Sequence, residues 1–251
     1  MLKRRSIVVV LFLAVIILGV PSVALAHCAW IEAPLTVNYS EEVEFDIFWA
    51  DPDDSIEERD MAELTLKVKD PKGQVEEIEL RDMKTFYKSE LSFDQEGTYI
   101  FSAIRPPARF RRSQYRDYAK AITWVRDEAQ RANNHLGLDL EIIPLSTLEE
   151  IRQNNEIKVE VRYYGDSLSD EGIKVLQSNE AGGRVFPDLH NESEYQTIIT
   201  NNKGQAILSI SPGYNYIFKV NHEVPANSLD EDLGFLVRRV FFRSTLYLPQ
   251  I

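Results

Sequence analysis

A histidine at the first position of a mature chain carries a free α-amine and an imidazole on one residue, a chelating unit that needs no help from elsewhere in a fold. This sequence offers such a terminus. His27-Cys28-Ala29-Trp30 directly follows Ala24-Leu25-Ala26, so cleavage after Ala26 would expose the His27 amine and imidazole, with the Cys28 thiol one residue on. Amine, imidazole and deprotonated amide nitrogens suit tetragonal Ni(II) or Cu(II), and sulfur from Cys28 could join the same chelate. The segment to be removed has the three-part layout of a secretory signal: Lys3-Arg4-Arg5, an apolar run from Ile7 to Val20, Pro21 and a small-x-small close. Two other fates stand beside cleavage. The apolar run approaches the ~20 residues that span a bilayer. Leu25-Ala26 also precedes Cys28 at a spacing open to lipid attachment, although His27 is bulkier than that site prefers.

Composition narrows the classes of function. Of 251 residues, 28 are Lys or Arg and 40 are Asp or Glu, a net charge of −12; loss of Lys3, Arg4 and Arg5 with residues 1–26 makes it −15. Such a balance argues against nucleic acid and anionic membrane surfaces as partners and mildly favours cations. Membrane contact beyond the signal is expected only if that segment stays uncleaved or Cys28 is lipidated. Cys28 is the one cysteine, so no intramolecular disulfide can form and each domain must rest on its own core. The expected location is exported: periplasmic, extracellular or at the cell surface.

The elements that would position the terminus read as strands. Val43-Glu44-Phe45-Asp46-Ile47 and Leu64-Thr65-Leu66-Lys67-Val68-Lys69 alternate apolar and polar residues, the period of a strand with one face on a core. Asp70-Pro71-Lys72-Gly73 makes a turn into Val75–Leu80, and strands follow at 91–93, 98–103 and 118–125. Asp127–Gly137 is expected as a linker or short helix. Beyond it, strands are expected at 138–144, 157–164, 173–177, 195–200, 206–210, 214–220 and 237–248, with a capping box at Ser146-Thr147-Leu148-Glu149-Glu150. The fold class is all-β: two antiparallel sandwiches in tandem, Ig-like or transthyretin-like, over 27–126 and 138–251, after a signal peptide at 1–26.

Several of these segments carry a resemblance. Thr200-Asn201-Asn202-Lys203-Gly204-Gln205-Ala206-Ile207-Leu208 with Pro212-Gly213-Tyr214 is similar to the turn and strand of transthyretin-like and carboxypeptidase-regulatory-like sandwiches. The His-x-x-Trp start, Glu96-Gly97-Thr98-Tyr99, Tyr118-Ala119-Lys120-Ala121, Gly137–Leu145 and Asn221-His222-Glu223-Val224-Pro225-Ala226, in that order, resemble the exported domain-of-unknown-function family labelled as nickel-uptake, NikM-like proteins. The resemblance covers nearly all of the mature chain. It implies a two-domain β protein without catalysis that serves nickel or cobalt acquisition beside a membrane metal-uptake transporter. It also points to His27, Trp30 and His222. His222 would complete the metal sphere begun by His27 and Cys28 if the domains pack around the terminus; otherwise it is a polar loop residue. Trp30, whose indole only donates, is expected as an inter-domain anchor.

Other motifs are weaker. Arg105, Arg109, Arg111, Arg112 and Arg116 lie in a proline-containing stretch without acids, read as a loop that could dock an acidic partner, an anionic glycan or a wall polymer, or else pair with this protein's own acids. Asp188, His190 and Glu192 alternate, but a solvated loop is the simpler reading. Asp51–Asp60 is read as a weakly cation-attracting loop and not as a calcium loop, since Ile56 stands at the glycine position and Ala62 at that of the final glutamate. No Gly-x-Ser-x-Gly, phosphate-binding glycine loop or His-Glu-x-x-His occurs, which argues against an enzyme. The function expected is therefore an exported binder of a divalent transition metal: nickel or cobalt, with copper as the alternative. A non-catalytic cell-surface adhesion module is the second reading, and a copper-dependent oxidative enzyme the third.

Overall fold

The alternating segments form strands. The computed structural model describes residues 27–53, 63–126, 129 and 135–251. The expected signal at 1–26, most of the acidic stretch 51–60 and most of the linker 127–137 lie outside the described residues. The first half contains β1 (Cys28–Glu32), β2 (Thr36–Val37), β3 (Glu42–Ala50), β4 (Thr65–Lys69), β5 (Val75–Ile78), β6 (Arg81–Asp82), β7 (Tyr87–Ser92), β8 (Gly97–Ile104), β9 (Ala108–Phe110) and β10 (Ser113–Val125). The second contains β11 (Leu140–Pro144), α1 (Leu148–Asn154), β12 (Glu156–Tyr163), β13 (Asp166–Ser167), β14 (Gly172–Gln177), β15 (Gln196–Ile199), β16 (Gln205–Ser209), β17 (Tyr216–Pro225) and β18 (Arg239–Leu248).

Local chemistry accounts for the punctuation. In the β4–β5 hairpin Gly73 takes φ +86° while its N–H reaches the Asp70 carbonyl at 2.9 Å and the Asp70 carboxylate accepts from the Gln74 N–H at 2.8 Å. The capping box sits one residue later than the serine suggests. Thr147, not Ser146, caps α1, accepting from the Glu150 N–H while the Glu150 carboxylate accepts from the Thr147 N–H. Ser146 instead accepts from the Lys158 N–H at 2.9 Å.

The architecture is all-β and built of stacked sheets, with one departure from a simple tandem. A central ten-stranded sheet runs β15-β14-β17-β18-β10-β8-β4-β5, with β2 and β9 also paired to β10. It passes through both halves of the chain because β10 pairs in parallel with β18 over Ser113–Lys120 and antiparallel with β8 over Ala121–Val125. The smaller sheet β1-β3-β7-β6 covers one face, and β11, β12, β13 and β16 form a second small sheet on the other. Alternation along β10 sorts its side chains between them. Ala119 and Ala121 join a core with Ile31, Ile47 and Phe101 under the first small sheet. Tyr118 and Ile122 join a core with Ile142, Val159 and Phe218 under the second. A third cluster, including Trp30, Phe48, Leu176, Phe186 and Ile217, ties the first half to the second.

Charges are buried along β10 on both faces. Toward β11, the Lys120 ammonium donates to the Glu141 carboxylate at 2.6 Å, and both side chains are fully buried. Glu141 also accepts from the Leu136 N–H at 2.8 Å and the Gly137 N–H at 3.2 Å and meets His135 Nδ1 at 2.7 Å. Burial alone would raise the Glu141 carboxyl. The Lys120 charge and hydrogen bond, with the Leu136 N–H and His135, outweigh it and hold the group below its ordinary value. On the same side Arg116 bridges Glu231 at 2.5 Å and Asp139 at 3.3 Å. On the opposite face Asp117 accepts from Arg243 Nη2 at 2.9 Å and from Arg105 Nη1 at 3.2 Å.

Removing one partner of the Lys120–Glu141 pair strands the other in an apolar core. Glu141→Gln is expected to cost about 3–5 kcal/mol, read as a lower urea midpoint, while Lys120→Met with Glu141→Leu recovers most of the loss. Because the folded Glu141 carboxyl lies below its unfolded value, its stabilisation is complete above about pH 4.5 and fades as pH falls through the folded value. The double variant should therefore show a shallower acid limb in a pH series of urea melts; an unchanged limb would assign the acid sensitivity to other carboxylates.

Candidate metal-binding terminus and the ionic seam beside it

The site at His27 is a product of strand register. In the β1–β3 ladder Cys28 stands opposite Ala50 and Ala29 opposite Trp49, so the next step brings His27 across from Asp51. His27 Nδ1 lies 3.1 Å from Asp51 Oδ1, with each side chain about one quarter exposed. The imidazole rests 4.8 Å from the Trp49 ring, and the Arg105 guanidinium sits over the same indole at 4.2 Å. Arg105 then reaches Asp117, which holds Arg243. The terminus is thus the outer end of a row of contacts that runs onto the central sheet.

This geometry tests the ligand set. An imidazole and a carboxylate are already adjacent, and signal cleavage would add an amine on His27; nitrogen and oxygen donors fit a borderline divalent ion. The Cys28 thiol does not fit. Successive residues of a strand point to opposite sides; Ala29 joins the core under the first small sheet, while Cys28, 1% exposed, packs with Leu176, Ile217 and Tyr247. Burial pushes its thiol above the ordinary value, against the nearby Lys219 and Arg243 cations. Lipid attachment at Cys28 would likewise require the sulfur to leave this cluster.

His222 does not join either. It lies within β17, not in a loop after it, opposite Phe242 of β18. Its ring packs 4.6 Å from Tyr163, and Nδ1 meets Glu171 Oε2 at 2.7 Å. Lys219, three residues back on β17, faces the Cys28 side, so His222 faces the opposite side of the central sheet, toward β12. His27, Cys28 and His222 therefore do not form one centre in this structure, and among the described residues no three His, Cys, Asp or Glu side chains gather as a metal cluster. Trp30 is 1% exposed, stacks on Phe48 at 4.8 Å within the cluster joining the two halves, and donates to Glu32 at 3.0 Å. His190 accepts no such role; its backbone N–H caps onto Asp188 at 2.7 Å in an exposed turn.

The arginine stretch is not a loop but a hairpin. Phe110 of β9 pairs with Ser113 of β10 around Arg111 and Arg112, with Arg111 at φ +55°, as a tight two-residue turn requires. Its five arginines divide. Arg105 is held by Asp117, Arg109 donates to the Leu233 carbonyl at 2.6 Å, and Arg116 is bound by Glu231 and Asp139. Arg111 and Arg112 make no ion pair among the described residues; Arg111 lies over Phe110 at 5.3 Å. Sequence reasoning placed Asp51 only at the head of a weakly cation-attracting loop and assigned no role to Asp117, Lys120, Glu141 or Lys219. Their partners are supplied by strands far away in the chain, and no local spacing signals that.

The burial of Cys28 carries a direct test. In native protein the thiol should resist an aromatic disulfide reagent and react fully only once the chain is unfolded; rapid stoichiometric labelling under native conditions would contradict the packing of β1.

With the geometry in place, comparison with known proteins gives a family and little more. No curated protein matches the chain. Among solved structures, a DUF4785 family protein from Legionella pneumophila is 12% identical, covering 74% of this chain and 49% of that one, with a TM-score of 0.30. A Salmonella alpha-2-macroglobulin mutant is 13% identical over 88% of this chain and 14% of that one, at a TM-score of 0.31. The Escherichia coli alpha-2-macroglobulin is 12% identical over 90% and 14%, also at 0.31. The chain spans about half of the first and a small part of the other two. One family model matches residues 24–224, from just before the expected cleavage point to the end of β17. The chain belongs to that family, described as a domain of unknown function, DUF4198.

Proposed function

We propose that this is an exported, non-catalytic protein of transition-metal acquisition, which takes a nickel or cobalt ion at the terminus created by cleavage before His27 and passes it to a membrane uptake transporter. The observation that carries the reading is the 3.1 Å approach of His27 Nδ1 to Asp51 Oδ1 at the end of a two-strand ladder. The ladder holds imidazole and carboxylate together before any metal arrives, so binding costs little ordering. Cleavage would add the α-amine as the third donor on the same residue. Copper would suit the same nitrogen donors. The set differs from the one drawn from sequence: Asp51 replaces Cys28 and His222. The resemblance to nickel-uptake proteins supports the choice of metal, and the net charge supports capture of cations.

Two measurements test it. The mass of the exported protein distinguishes a free His27 terminus from a lipidated Cys28 and from an uncleaved segment. Nickel titration of protein beginning at His27 should then show binding that weakens about tenfold to a hundredfold in Asp51→Asn, and at least as much in a variant with one extra residue before His27. Equal affinity in all three would sink the reading.

A further inference from the structure

On the face of the central sheet that carries Asp117, β1 packs against the later part of β18. There the Thr245 hydroxyl donates to the Ala29 carbonyl of β1 at 2.6 Å. Toward the start of β18 two adjoining hollows open, of about 400 and 480 Å³. They share Glu223 and Phe241. The first is lined by Lys174, His190, Glu192, Lys219, Asn221 and Arg243, the second by Phe110, Arg111, Arg112, Tyr115 and Arg239.

The lining alternates cations and rings. The Arg243 guanidinium lies 4.9 Å over Tyr115, Tyr115 stacks on Phe241 at 5.1 Å with 10° between planes, and Arg239 lies 5.4 Å over Phe241. Around this ladder stand Lys174, the fully buried Lys219, and Arg111 and Arg112 at the hairpin turn. Arg243 adds a second, independent signal. It is 4% exposed, Asp117 takes Nε and Nη2, and Nη1 has no hydrogen-bond partner among the described residues. A buried donor left without an acceptor is costly; of the other cations, Arg239 pairs with Glu223 at 3.3 Å, while Arg111 and Arg112 at the exposed turn make no ion pair among the described residues.

We propose that this groove binds an acidic oligosaccharide of the uronic-acid class. Planar guanidinium groups match planar carboxylates, and the exposed Phe110 ring offers apolar surface to the face of a pyranose ring. Glu223 and Asn221, set between the cations, accept hydroxyl protons. A polyphosphate would bring no hydroxyl donors to the Glu223 and Asn221 oxygens. The two hollows, joined along one strand, suit a ligand of successive units rather than a single small ion.

The test uses the exported protein and calorimetric titration with tri-galacturonate, against its fully methyl-esterified form, tri-glutamate and inorganic tripolyphosphate. The variant is Arg111→Asn with Arg112→Ser, since asparagine tolerates the positive φ at 111 and both side chains are exposed; an unchanged thermal melt confirms that it folds. Tri-galacturonate should bind best, the esterified form should not bind, and the variant should weaken binding about tenfold. Absence of tri-galacturonate binding overturns the proposal. So does equal binding of any of the other three ligands, or an affinity unchanged in the folded variant.

Discussion

Strand β10 serves two cores at once, and the rest of the molecule depends on its parallel pairing with β18. Over Ser113–Lys120 it lies beside a strand more than a hundred residues later in the chain, and over Ala121–Val125 it turns its edge to β8. No tight turn can make a parallel pair, so this contact closes a loop that takes in most of the second half of the chain. Once closed, it makes one sheet of what would otherwise be two. The small sheets then cover opposite faces of that common sheet, and the period of two along β10 directs Ala119 and Ala121 to one and Tyr118 and Ile122 to the other.

Such a junction must be protected against slipping, and buried charge does this. A one-residue shift of β10 would exchange its faces. It would take Asp117 from Arg243 and Lys120 from Glu141, leaving four ionised groups without partners in an apolar interior. A hydrophobic pair of similar volume could be as stable, but it would tolerate the shift. Arg116, Asp117 and Lys120 thus point alternately, each to a partner that only the correct register supplies.

The terminus inherits this rigidity. Thr245 fixes the Ala29 backbone, Trp30 is locked against Phe48, and Cys28 is embedded beside Lys219, so the residues after His27 have no freedom to wander. His27 therefore meets Asp51 as a consequence of the ladder, and the row from Trp49 through Arg105 and Asp117 to Arg243 carries the ordering on to the groove. Burial of Cys28 among these strands removes it as a ligand and makes it part of the joint.

Alternation in Val43–Ile47 and Leu64–Lys69, the Asp70–Gly73 turn and the capping-box spacing around Thr147 were legible because each is set by neighbours a few residues away. The all-β class followed from them. Register between distant strands was not legible, since the same alternation satisfies many pairings and only the assembled cores choose one. That choice placed Asp51 opposite His27, left Cys28 packed against one side of the central sheet with His222 facing the other, and turned the arginine stretch into a hairpin with three residues anchored inward and two left at a groove. The sequence by itself determined which segments are strands and which residues carry chemistry. The tertiary structure decided which of those residues meet, because side-chain partners across strands are fixed by long-range packing and buried charge, and no local pattern encodes them.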